Sequence, residues 1–147
     1  MSLAPTAAPT VSCMNDSEFA GAFERCEIPN DGFHHRDHVR LAWIYLRDLP
    51  LIDALTRFTI SLKRFAAHNG KPGLYHETIT WAYLLLIHER MERKPTDDFE
   101  TFEATNPDLF AWKPSILDRY YDRQTLDSDL ARRTFLMPVC PTYETLR

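Results

Sequence analysis

Three histidines at the starts of two apolar segments are the residues best suited to chemistry in this sequence. His35 and His38 lie three residues apart in "GFHHRDHVRLAWIYLRDLP", and His76 lies in "LYHETITWAYLLLI". Helix positions three and four residues apart share a face, so His35 and His38 continue the stripe that leads to Tyr45. His76 begins a similar stripe that leads to Tyr83. If the two helix starts lie together, the three imidazoles converge.

Converging imidazoles predict a metal site. A helix N-terminus and partial burial both disfavour the imidazolium ion, and neutral histidine is the form that binds a metal. Three nitrogens from His35, His38 and His76 would suit one divalent transition metal (Zn, Fe, Mn or Ni), with positions left open for water or substrate. The leading hypothesis is therefore a metal-dependent enzyme or metal-binding protein that acts on a small molecule.

Several neighbours of these histidines could assist such a reaction. Glu77 is a candidate general base on a bound water, or a fourth ligand, and Asp37 could orient a ligand or bind the metal itself. Tyr75 or Arg40 would orient the substrate. A carboxylate ligand would give the arrangement of two histidines and one carboxylate that iron uses. The sequence leaves these alternatives open.

The same histidines also fit purely structural roles, since H-x-x-H arises often by chance. His35 could cap its helix, His38 could pair with Asp37 or a carbonyl, and His76 could bond a loop. The alternative function is a non-catalytic helical module that binds an apolar small ligand or a protein partner. The aromatic C-terminal third of the chain, with Trp112, would supply that surface.

Helix start and stop signals predict four main helices, over about residues 16–26, 35–49, 51–70 and 74–95. Asn15 or Asp16 caps the first helix, and an Asn-Gly pair ends the third. Shorter helices are expected within residues 96–104, 113–121 and 126–135. No alternating strand pattern occurs outside the tail. We therefore predict an all-α, single-domain helical bundle over residues 15–147, after a disordered lead-in of residues 1–14.

Composition narrows the classes of function. The 147 residues are 44% hydrophobic and carry a formal charge of −4, which argues against a nucleic-acid binder. The longest apolar run, "WAYLLLI", is too short to span a membrane. Three cysteines, without a C-x-x-C pair, and no signal-peptide pattern favour a cytoplasmic protein. Abundant aromatic residues suggest an apolar face that a homodimer could cover.

The chain resembles a family of small uncharacterised bacterial all-helical proteins. The resemblance rests on "FHHRDHVRLAWIYL" and "LYHETITWAYLLLI", followed in order by "NPDLF", "RYYDRQTLDSDLAR" and "PVCP". The resemblance covers most of residues 33–141. It implies a role for residues in the F-x-H-x-x-H and Y-H-E-T motifs, namely His35, His38, Tyr75, His76, Glu77 and Thr78. The chain has a looser likeness to the DinB/YfiT-like bundles, which implies a divalent metal held by three histidines. In those bundles the usual pair is a late H-x-x-x-H.

Overall fold

Four helices form the body of the fold, and three short helices follow them. The computed structural model describes residues 10–139, and within that range no β-strand occurs. The helices are α1 (Asp16–Glu24), α2 (His35–Asp48), α3 (Leu51–His68), α4 (Glu77–Arg93), α5 (Phe99–Thr105), α6 (Arg123–Leu126) and α7 (Asp129–Arg133). The predicted all-α, single-domain bundle is confirmed. The segment around residues 113–121 forms only a single 3-10 turn, Ile116–Arg119, and not a regular helix.

Local side-chain caps explain where most of these helices begin. The Oδ1 atom of Asn15 accepts a hydrogen bond from the backbone N–H of Glu18 at 2.8 Å, which makes Asn15 the cap of α1. Asp98 caps α5 in the same way. α3 begins directly after Pro50, and Asn69 is its C-cap. The next residue, Gly70, adopts a positive φ of 70°. These signals are local, so the sequence alone is enough to place them.

The core forms where α2 packs against both α3 and α4, while α1 packs against α2 and α3. Fully buried aromatic side chains fill its centre, among them Phe19, Phe23 and Trp43. α2 and α3 are joined by only two residues, and the 3-10 turn Pro72–Leu74 lies between α3 and α4. As a result, the start of α2, the end of α3 and the start of α4 meet around one cavity.

Arg40 holds the N-terminal segment and does not face that cavity. Its guanidinium donates hydrogen bonds to the carbonyl oxygens of Val11 (3.2 Å) and Met14 (2.7 Å), and it pairs with Asp16 at 3.2 Å. It also lies over the ring of Phe19. Arg40 is not among the residues that line the cavity, and the suggestion that it orients a substrate stays a prediction. Within the predicted lead-in, Val11–Cys13 form a 3-10 turn, and residues 1–9 lie outside the described range.

The C-terminal part of the described chain is fastened to the first turn of α4. The Thr78 hydroxyl donates to the carbonyl oxygen of Thr134 at 2.8 Å and accepts from the backbone N–H of Leu136 at 3.1 Å. The ring of Trp81 stacks on Phe135. Thr78 is thus a structural residue. None of the helices in residues 10–139 combines the length and the apolar character that crossing a membrane requires.

Candidate functional site: an apolar cavity lined by three histidines

The cavity between α2, α3 and α4 has a volume of about 560 Å³. That volume falls within the range of roughly 300–1,000 Å³ that small-molecule sites occupy. Seven of the lining residues are buried and largely apolar: Phe33, Val39, Phe58, Leu62, Phe65, Tyr83 and Ile87. All three predicted histidines, His35, His38 and His76, also line it. Each of them keeps a different set of partners.

His35 is the first residue of α2, and a hydrogen bond and two aromatic contacts hold its ring in place. Its Nε2 atom donates a hydrogen bond to the carbonyl oxygen of Leu109 at 2.8 Å. Its ring lies against Tyr83 and Trp112, with centroids 4.9 and 5.0 Å away. Burial lowers the pKa of His35 from its ordinary value, although the bond to Leu109 opposes that effect. The neutral ring therefore carries its proton on Nε2 and leaves the lone pair of Nδ1 outside this bond.

His38 lies one turn further along α2 and has no hydrogen bond to any side chain or backbone group of residues 10–139. Its ring rests on Phe33 with centroids 4.3 Å apart. Burial, together with the neighbouring His35, lowers the pKa of His38 to about 3. The ring is therefore neutral at physiological pH and presents one N–H donor and one nitrogen acceptor within a largely apolar cavity.

His76 differs from the other two because both of its nitrogens are already bonded. Its Nδ1 accepts from the backbone N–H of Ile79 at 3.1 Å and so caps α4. Its Nε2 donates to the carbonyl oxygen of Leu126 at 2.7 Å. The side chain is 8% exposed. For His76 to bind a metal, one of these two bonds must first be given up, because a ligating nitrogen needs a free lone pair.

The described part of the chain contains no group of three or more histidine, cysteine, aspartate or glutamate side chains placed to hold a metal ion. His35 and His38 could each offer one nitrogen as they stand. Asp37, considered above as a further ligand, accepts the backbone N–H of His34 at 2.9 Å and stabilises the start of α2. The metal site predicted from the sequence stays a prediction.

Tyr75 and Glu77, the predicted catalytic pair, bond to each other. The Tyr75 hydroxyl donates to Glu77 Oε1 at 2.6 Å, and burial together with this carboxylate raises the pKa of Tyr75. Tyr75 lines the cavity, whereas Glu77 does not. The Lys63 ammonium lies 5.0 Å from the centroid of the Tyr75 ring. Glu77 thus reaches the cavity only through the phenol of Tyr75.

Sequence reasoning missed the residues at the rim of the cavity. Lys71, Leu74 and Asn30 all line it and are exposed. Trp112, which the sequence suggested as part of an apolar binding surface, also lies at the rim and is 52% exposed. Its aromatic character was visible in the sequence, but nothing in the local pattern connects it to His35. Only the packing of residues 107–119 against α4 brings the two rings together.

Comparison of the chain with models of protein families, with curated proteins and with solved structures finds no match. The resemblances drawn from the histidine motifs therefore remain predictions.

Proposed function

We propose that the protein binds a small, largely apolar molecule in the cavity between α2, α3 and α4. The observation that supports this most strongly is a cavity of about 560 Å³ that combines a largely apolar lining with an imidazole, His38, that has no hydrogen-bond partner within residues 10–139. A few polar groups in an otherwise apolar pocket are typical of sites for small molecules. The proposal assigns binding and no reaction.

His38 supplies the hydrogen bond that selects among apolar ligands. A neutral imidazole can donate a hydrogen bond to a carbonyl or accept one from a hydroxyl. Removing it by His38→Leu should weaken binding about 2- to 10-fold, since one net hydrogen bond contributes about 0.5–1.5 kcal/mol. A ligand without a polar group should lose nothing in this variant.

Filling the cavity tests the proposal directly. Ala66 lines the cavity, while its neighbour Ala67 is exposed on the same helix and does not. We would titrate wild type, Ala66→Phe and Ala67→Phe with 1-decanol and 1-naphthol by calorimetry. We expect Ala66→Phe to lose binding at least tenfold and Ala67→Phe to bind like wild type. Equal binding by all three proteins, with helix content unchanged in circular dichroism, would place the ligand elsewhere and overturn the proposal.

The second candidate is the metal-dependent function predicted from the sequence. It is favoured by one observation, that three histidines line a single cavity and that His35 and His38 each keep a nitrogen outside hydrogen bonds. It requires His76 to give up its bond with either Leu126 or Ile79 for a metal. Metal content therefore separates the two candidates.

A further inference from the structure

The charges around the cavity are unevenly distributed. Among the residues of the range 10–139 that line it, Lys71 is the only one with a full charge at neutral pH, and none is a carboxylate. Lys71 is exposed, and it makes no ion pair with any group in residues 10–139. The nearby ions Lys63 and Glu77 contact Tyr75 from outside the lining.

The apolar and charged parts of the cavity are also separated in space. Its walls are buried aromatic and aliphatic side chains, such as Phe58 and Phe65, whereas Lys71 is at the exposed rim. Leu74, 65% exposed, and Trp112 add apolar surface at the rim. A molecule that fits this arrangement has an apolar body and one anionic end.

We propose that the ligand is an amphipathic monocarboxylic acid, whose hydrocarbon part fills the cavity and whose carboxylate pairs with Lys71 at the rim. This inference rests on the proposed function, since it names the chemical class of the same ligand. A pocket without carboxylates does not repel the acid, and a lysine at the rim leaves the carboxylate partly hydrated. The cost of removing a charge from water is therefore small. His38 remains available for an oxygen along the chain, such as a hydroxyl or keto group.

A pair of ligands that differ only in the head group tests the inference. We would measure the affinities of decanoate and 1-decanol by calorimetry at pH 7.4, below the concentrations at which either aggregates. The proteins are wild type, Lys71→Met and the control Lys94→Met, whose lysine is exposed at the far end of α4. Wild type should bind decanoate at least as tightly as 1-decanol, because Lys71 pairs with the carboxylate. An apolar pocket without a cation would instead strongly favour the alcohol.

The expected result is a loss confined to one ligand and one variant. Lys71→Met should weaken decanoate binding about 3- to 10-fold and change 1-decanol binding less than twofold, while Lys94→Met changes neither. If 1-decanol binds more tightly than decanoate in wild type, or Lys71→Met affects both ligands equally, the acid assignment is wrong and the apolar pocket stands. If neither ligand binds to wild type, the pocket proposal and the acid assignment both fail.

Discussion

The Nε2 atom of His76 lies 2.7 Å from the carbonyl oxygen of Leu126, a residue fifty positions later in the chain. The same imidazole caps α4 through Nδ1. One side chain therefore stabilises the start of a long helix and fastens α6 to it. Among the three histidines that line the cavity, His76 has the most complete structural explanation, and His38 has the least.

His76→Ala should destabilise the fold. The variant loses a helix cap and leaves the Leu126 carbonyl without its donor, so we expect the free energy of unfolding to fall by about 1–3 kcal/mol. Urea unfolding at pH 7.5 measures the change. His68→Ala, at an exposed position of α3, is the matched control and should stay within about 0.5 kcal/mol of wild type. A His76→Ala protein as stable as that control would contradict the bonding described here.

His38 should make stability depend on pH. Its pKa is about 3 in the folded protein and near 6.5 in the unfolded chain, so the unfolded chain binds more protons between these values. The contribution of His38 to the free energy of unfolding is thus fully present above pH 6.5. It declines as the pH falls toward 3, by on the order of 1 kcal/mol per pH unit. Urea unfolding at pH 7, 6 and 5 should show this decline, and His38→Gln should flatten it. His68→Gln should leave it unchanged, and the same decline in His38→Gln would rule out His38 as its source.

Metal content separates the two candidate functions. With both nitrogens of His76 bonded, His35 and His38 are the only histidines of the cavity lining within residues 10–139 that offer free nitrogens, and two ligands hold a divalent ion weakly. We therefore expect less than about 0.1 equivalent of Zn, Fe, Mn or Ni in protein purified without an affinity tag or chelator. Elemental analysis measures this. Near-stoichiometric metal that disappears in a folded His35→Ala/His38→Ala variant would favour the metal-dependent function instead.

Trp112 should report ligand binding. Its ring contacts His35 at the rim of the cavity, whereas Trp43 is buried in the core and Trp81 stacks on Phe135. We expect most of the change in tryptophan fluorescence on adding a bound ligand to vanish in Trp112→Phe. Affinity from calorimetry should change less than threefold, because phenylalanine keeps an aromatic face at the rim. Trp81→Phe is the control, and a signal lost there instead would place the ligand near the C-terminal segment.

Local sequence patterns predict the four main helices and the inward face of α2. Caps such as Asn15, stops such as the Asn-Gly pair and the apolar stripe through His35 and His38 act within a few residues of the chain. They predict an all-α bundle and direct those two histidines toward its interior. Lys71 and Trp112 carry no comparable local signal.

The tertiary structure decided which of these side chains are available for chemistry. The carbonyls of Leu109 and Leu126 occupy one nitrogen each on His35 and His76, and the N-terminal segment occupies Arg40. Those partners lie 24 to 74 residues away in the sequence. No local pattern encodes them, since such contacts exist only once the packed helices bring distant segments together. His38 lines the cavity, and packing within residues 10–139 brings no hydrogen-bond donor or acceptor to its ring.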